Sequence, residues 1–258
     1  MSTLKGKVAV ITGASSANGI GHAIAKRFAR AGASLYLMAE GPAELLRDRA
    51  AECKKLSEES DARFEYGVHD LAQAGAAETM IERAVELFGR IDILINNAGV
   101  RVRHKFEEFS RDAFNHALAV NVTAPFFACQ AVTPIMRRQG GGRIIHIASQ
   151  MGTVAHERRA VYGMTKAALI YLAKAMAYEL APDGITVNAI SPGPILTEYM
   201  EHEYAKNSQL ANDRAAYMRI NRVGRPDEIA EVALFLAGSA PDLLMGQNLI
   251  VDGGYTIH

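Results

Sequence analysis

The stretch Val8-Ala9-Val10-Ile11-Thr12-Gly13-Ala14-Ser15-Ser16-Ala17-Asn18-Gly19-Ile20-Gly21 decides the fold. Val8–Thr12 is an apolar run of strand length. Glycines punctuate the turn that follows, and a helical pattern over Gly21–Arg30 takes over from it. A strand that passes through such a turn into a helix start aims free backbone N–H groups and a positive dipole end at one point. The missing Cβ atoms let a ligand approach closely, as a pyrophosphate does in a dinucleotide-binding turn. An ordinary βα turn would use the same glycines; the strand before and the helix after favour the anion cradle.

Outward from this turn, short apolar runs alternate with longer helical patterns. Strands are expected at Val8–Thr12, Ser34–Met38, Phe64–Val68, Ile91–Asn96, Arg143–Ser149, Thr186–Ser191 and Leu249–Val251. Their nearly continuous apolar character suits a parallel sheet buried on both faces. Helices are expected at Gly21–Arg30, Pro42–Ser60, Ala74–Phe88, Arg111–Arg138, Ala160–Leu180 and Pro226–Ala237. Gly32, Gly89 and Gly184 stand just past helix ends as left-handed caps. This order predicts an α/β doubly wound parallel sheet of about seven strands with helices on both faces. No repeat, linker or composition break divides residues 1–258, so a single domain is expected. The stretch 194–220 breaks the rhythm and reads as a helical lid.

With 28 basic and 28 acidic side chains the formal charge is zero, which disfavours a nucleic-acid partner. Cys53 and Cys129 form neither a disulfide framework nor a metal motif, which suits a reducing compartment. Met1 to Lys7 is too short and polar for a signal peptide, and no stretch is expected to supply the roughly 20 apolar residues of a membrane span. A cytoplasmic, soluble protein follows as the expectation. No histidine spacing suggests a metal site. His146, inside an apolar strand, reads as a hydrogen-bonded core residue.

At the end of the second strand Glu40 is the only acid, with no basic residue beside it. A carboxylate there accepts from a ribose 2′-hydroxyl and repels a 2′-phosphate, so NAD is expected over NADP. Simple exposure of Glu40, or an approach by Arg47, would remove that preference. Tyr162 and Lys166, four residues apart at a helix start, share a face. Ala168, Leu172, Met176 and Leu180 mark an expected buried stripe. An ammonium beside a phenol favours phenolate and brings its pKa toward the range of useful proton transfer. A chance surface pair would show the same spacing.

Taken together, the Thr12–Gly21 turn, Asp70, Asn96-Asn97-Ala98-Gly99, Asn121, Ser149, Tyr162 to Lys166, Pro192-Gly193, Arg222 to Ala230 and Val251-Asp252-Gly253-Gly254 resemble the short-chain dehydrogenase/reductase family. They fall in family order over most of the chain. The resemblance implies a Rossmann-like domain and reversible alcohol–carbonyl interconversion with an NAD or NADP coenzyme. It implies that Tyr162 is the general acid/base, that Lys166 lowers its pKa and holds the nicotinamide ribose, and that Ser149 bonds the substrate oxygen. Asn121 would order a proton-relay water, although a helix-bending polar residue would look the same. Gly13, Ser15, Gly19, Ile20 and Gly21 would form the pyrophosphate turn, and Glu40 would meet the ribose. Asp70 and Leu71 would flank the adenine, with a strand-end cap the other reading of Asp70. Asn97, Ala98 and Gly99 would line the ribose side, or brace the sheet. Ile195 and Thr197, after Pro192-Gly193, would meet the nicotinamide.

Two departures stand out. Five residues, Ala14 to Asn18, separate the first two glycines where the family has three, and the usual second-strand Asp falls on Ala39. Enoyl reductases of the superfamily set tyrosine and lysine further apart, so Tyr162-x-x-x-Lys166 argues against double-bond reduction. Arg101, Arg103, His104, His156, Arg158 and Arg159 should border the substrate, which suits a sugar acid, a polyol or a carrier-bound acyl chain; ordinary solvated loop charge is the other reading. Tyr199, Met200 and Tyr204 would cover the substrate or only pack the lid. An NADPH-dependent 3-oxoacyl-[acyl-carrier-protein] reductase is the alternative enzyme, and a dinucleotide-sensing regulator the non-enzyme one. A homotetramer or dimer built on the helices 111–138 and 160–180 is implied, with a small-molecule substrate and neither nucleic acid nor membrane as partner.

Overall fold

The computed structural model describes residues 3–207 and 209–257. Met1, Ser2, Ser208 (inside the expected lid) and His258 lie outside the described residues. Seven parallel strands form the sheet: β1 (Val8–Thr12), β2 (Ser34–Ala39), β3 (Phe64–Val68), β4 (Ile93–Asn96), β5 (Gly142–Ile147), β6 (Ile185–Pro192) and β7 (Asn248–Val251). Their order is β3-β2-β1-β4-β5-β6-β7. β1 pairs with β2 through Val8↔Ser34 and with β4 through Ala9↔Ile93. Both β1 and β4 are buried throughout, as their all-apolar cores require.

The helices are α1 (Ile20–Arg30), α2 (Ala43–Leu56), α3 (Ala76–Phe88), α4 (Arg111–Leu118), α5 (Ala124–Arg138), α6 (Ala160–Leu180), α7 (Glu198–Lys206), α8 (Gln209–Tyr217) and α9 (Pro226–Ala237). One core, with Phe28, Leu46 and Ile229, joins α1, α2 and α9 to one sheet face. A second, with Met80, Val132 and Leu169, joins α3, α5 and α6 to the other. Gly32, Gly89 and Gly184 take φ of 89°, 73° and 69°, the left-handed region a Cβ disfavours.

Local chemistry corrects several expected boundaries. Ile91 gives both backbone groups to the Gln139 side chain, at 3.1 and 2.8 Å, so β4 starts at Ile93. α2 ends at Leu56 because Ser57 turns extended. The helical run 111–138 is interrupted by a π turn over Ala119–Thr123. This run is also long and apolar enough to cross a membrane, contrary to expectation. Here it packs on the sheet between β4 and β5. The buried stripe of α6 runs through Val161, Thr165, Leu169, Ala173, Ala177 and Leu180; Ala168, Leu172 and Met176 lie on its flank, one residue round.

At the N-terminal end of the sheet the charges are matched. Asp92, 7% exposed, accepts from Val8 N (2.9 Å) and from Arg90 Nε (2.9 Å) and Nη2 (2.6 Å), with Lys7 Nζ at 3.5 Å. Burial alone would raise its pKa. Arg90, the Val8 N–H and Lys7 outweigh burial and hold it below the usual carboxylate value. Arg143 reaches Thr186 at 2.9 Å and Asp242 at 2.8 Å.

Candidate active site

The sheet order reverses between β1 and β4, and a crevice opens outside the carboxyl ends of these strands. The glycine-rich turn leaves β1 there and the Asn-rich turn leaves β4. Thr12 Oγ1 accepts from the N–H groups of Asn97 and Ala98, each at 2.9 Å. Asn97 Nδ2 donates back to Thr12 O at 2.8 Å and Gly13 O at 3.0 Å. Asn97 thus braces the glycine turn as well as facing the crevice. A Cβ on Gly13 would sit 2.8 Å from Ala98 Cα, and one on Gly21 would sit 2.5 Å from Gly13 O, so neither position tolerates a side chain. α1 begins with Gly19 as an uncapped N-cap and no acid in its first turn. Its first N–H groups are available to an anion. A cleft of about 140 Å³ follows, lined by Ile20, Asn97, Gly99, Tyr162, Lys166 and Thr197 among others. Pro192, Gly193 and Ile195 also line it. An open glycine turn, an uncapped helix start and a polar-lined cleft fit a dinucleotide.

Ser149 follows β5, while Tyr162 and Lys166 project from the first turns of α6. Lys166 Nζ lies 5.8 Å from the Tyr162 ring centroid and donates to Ile147 O at 2.8 Å. Lys166 is 4% exposed and Ser149 8%. Burial pushes the half-buried Tyr162 phenol up. Lys166, Arg101, a hydrogen bond with Ser149, and Arg159 outweigh burial and bring it below its ordinary value. Burial lowers the Lys166 ammonium; Tyr162 opposes this and Arg101 adds to it. Asn121 sits in the π turn, fully buried. Its Oδ1 accepts from Val100 N at 2.8 Å, and its Nδ2 donates to Val100 O and Thr165 Oγ1, both at 3.0 Å. A Cβ on Gly99 would lie 3.2 Å from Asn121 Oδ1 and 3.3 Å from Lys166 Nζ. Asn121 therefore both bends the helix and fixes the backbone beside Lys166. A single-turn π bulge is a common way to aim a polar residue at a site.

A second cleft, about 270 Å³, adjoins the first through Arg101, Ser149, Tyr162, Gly193 and Ile195. Of the six basic residues expected at the site, Arg101, Arg103, His156 and Arg159 line it; His104 and Arg158 line only an adjoining groove that shares Met151, His156 and Arg159 with it. Met200 reaches it from α7, whereas Tyr199 lies outside with Arg101 Cζ 5.5 Å from its ring centroid. Tyr204 is not among the lining residues. The sequence reading missed Gln150, Leu210, Asp213, Tyr217 and Tyr255. Tyr217 and Tyr255 approach to 5.8 Å between ring centroids from distant parts of the chain, with no local signal to join them.

Glu40, exposed after β2, and Asp70 and Leu71, after β3, line neither cleft. They stand at the carboxyl ends of β2, which pairs with β1, and of β3, the edge strand beyond it. Asp70 accepts from Ala72 N at 2.9 Å and Gln73 Nε2 at 3.0 Å, so it caps the turn after β3. Leu71 packs on the core. Arg47 pairs with Asp48 at 3.6 Å. His146 Nδ1 lies 3.2 Å from Asn96 Nδ2, and burial pushes its imidazole down to about 3, so it stays neutral in the core. Among the described residues no three His, Cys, Asp or Glu side chains gather as a metal site needs.

A family model described as enoyl-(acyl carrier protein) reductase matches residues 13–256. The chain is 40% identical over 261 residues to a D-threitol dehydrogenase of Mycolicibacterium smegmatis, covering 98% of this chain and 94% of that protein. It is 36% identical over 251 residues to an NAD-dependent glycerol dehydrogenase of Listeria innocua, covering 97% and 94%. A solved structure from Beutenbergia cavernae, provisionally named an NAD(P)-dependent gluconate 5-dehydrogenase and holding NADP at low occupancy, superimposes with a TM-score of 0.90. The identity is 33%, with 100% of this chain and 99% of that one covered.

Proposed function

Since this chain belongs to the short-chain dehydrogenase/reductase family and is an NAD(P)-dependent oxidoreductase acting on CH–OH groups, we propose that Tyr162, assisted by Lys166, Ser149 and Asn121, moves the proton in oxidation of a polyol or sugar acid. The observation that carries this reading is the Lys166 ammonium, 5.8 Å from the Tyr162 ring, where the two clefts meet. A bound nicotinamide supplies or accepts the hydride. Tyr162 Oη takes the proton from the substrate hydroxyl in oxidation and returns it in reduction. The neighbouring cations favour the phenolate that the first direction needs. Ser149 holds the substrate oxygen and stabilises the charge that develops on it. Lys166 spends one donor on Ile147 O and keeps two for the ribose side of the cleft. Asn121 positions Gly99 and Val100 against Lys166.

The substrate class rests on the four basic residues that line the outer cleft. It rests also on the relatives named for threitol and glycerol. NAD is the proposed coenzyme: Glu40 follows β2 without a basic neighbour, and Arg47 is engaged by Asp48. The relative from Listeria innocua is NAD-dependent by name, while the Beutenbergia cavernae structure holds NADP. The segment over 194–220, with α7 and α8, is proposed as the lid. A homo-oligomer through α5 and α6 is proposed from the exposed Phe126, Phe127, Tyr171 and Tyr178. The buried cysteines Cys53 and Cys129, both unpaired, suit a reducing cytoplasm.

The test is a coenzyme-coupled screen of polyols, sugar acids and an acetoacetyl thioester with both nicotinamides. The expected result is NAD-linked oxidation of a polyol or sugar acid. Turnover confined to the thioester with NADPH would make the protein an oxoacyl reductase instead.

A further inference from the structure

The five-residue spacer of the glycine-rich turn makes contacts that neither the anion cradle nor the proton relay uses. Its tip is a β-turn closed by Gly19 N donating to Ser16 O at 3.1 Å. His22 Nδ1 lies 2.9 Å from Ala17 O and ties the tip to α1. From the tip, five hydrogen bonds cross to the start of α7. Ser16 Oγ donates to Glu198 Oε2 at 2.7 Å, and Ala17 N donates to the same oxygen at 3.2 Å. Asn18 Nδ2 donates to Leu196 O at 3.1 Å and to Glu201 Oε1 at 2.7 Å. Glu198 N donates to Asn18 O at 3.3 Å.

Three of these bonds end on a carboxylate, and charge-assisted bonds are the stronger kind. Both acids also sit in the first turn of α7, where the helix dipole favours them. The clasped segment serves both clefts: Ile195 and Thr197 line the inner one, and Met200 reaches the outer one. At its other side Leu196 N donates to Gly224 O at 2.8 Å.

We propose that the lengthened glycine-rich turn is a clasp for α7, with Asn18 and Glu198 as positioning residues that tie the coenzyme turn to the segment covering the substrate. A turn with the usual three-residue spacer lacks two residues at this tip. The extra length therefore serves the lid rather than the pyrophosphate. The coupling works in both directions, as linkage between two sites requires. A coenzyme that orders the turn orders α7, and loss of the α7 carboxylate loosens the turn.

The inference rests on the reading of this turn as the coenzyme site, and its test separates the two. NADH is the probe, used on the full-length protein. Its Kd is read from nicotinamide fluorescence, and amide exchange over residues 196–206 is followed with and without it. In the unaltered protein NADH slows exchange over α7. In Asn18→Ala the protein still binds NADH, but this protection falls away. Glu198→Ala raises the NADH Kd roughly three- to tenfold, the effect of one or two lost hydrogen bonds. Glu198→Gln, which keeps an acceptor, restores most of it. The double variant weakens binding about as much as the stronger single one, because both changes break one clasp. Circular dichroism and Tm confirm that each variant is folded. Additive losses in the double variant, or unchanged NADH protection of α7 in Asn18→Ala, would overturn the clasp alone. An unaltered protein that takes up neither NADH nor NADPH would overturn the coenzyme reading and the clasp with it.

Discussion

Both ends of the parallel sheet gather cations, and they treat them in opposite ways. At the N-terminal end Lys7, Arg90 and Arg143 each find a carboxylate, Asp92 or Asp242. At the C-terminal end Lys166 and Arg101 sit beside Tyr162 and, among the described residues, pair with no carboxylate. Matched charge ties strands and loops together. Unmatched charge acts on whatever sits next to it, here a phenol and the ligand that enters the cleft. Charge in a fold is informative when its partner is missing.

Changes at the two ends should therefore separate activity from stability. The largest expected effect is at the C-terminal end. Tyr162→Phe should lower kcat by roughly 10²–10⁴, the usual worth of a positioned acid/base, with Tm and NADH binding held. A variant that turns over normally would leave no distinction between the ends. Asn121→Ala belongs to both categories, since it strips partners from Val100 and Thr165. It should cost about 1–3 kcal/mol of stability in denaturant melts and also reduce turnover, by loosening the backbone beside Lys166. Asp92→Asn should cost a similar 1–3 kcal/mol with kcat unchanged, because its losses are all at the far end.

The smallest effect is in pH dependence. Asp92 has a folded pKa below its unfolded value of 3.8. Its contribution to stability is present above that unfolded value and is lost as pH falls through the folded one. Acid unfolding of Asp92→Asn below about pH 4 should be correspondingly shallower.

Much of this was readable from residues alone. Strands such as β1, β2, β4 and β5 follow from apolar runs of strand length near glycines. The Tyr162–Lys166 pair follows from helical spacing read together with the family resemblance, since the spacing alone would equally suit a chance surface pair. What escaped depends on placement in space. The π turn at Asn121 arises because its amide group serves Val100 and Thr165, residues from two other segments. The α6 stripe is offset by one residue, and Lys166 itself is buried among its core positions. Tyr217 and Tyr255 meet over the outer cleft only once the chain end folds back. There Asp252 accepts from the N–H groups of Gly254 and Thr256, at 2.9 and 2.8 Å. The extra length of the glycine-rich turn was visible, but its partner on α7 lies about 180 residues away.

The most direct test of the proton-handling claim is the pH dependence of kcat/KM for alcohol oxidation, in the unaltered protein and in Arg101→Met. The cations near Tyr162 lower its pKa, and the proposed mechanism requires its base form for oxidation. The rate should therefore rise with pH through an apparent pKa below the 10.0 of a free phenol. Removing Arg101 should move that rise to higher pH. A profile that is flat, or one that Arg101→Met leaves in place, would contradict the assignment of the proton to Tyr162.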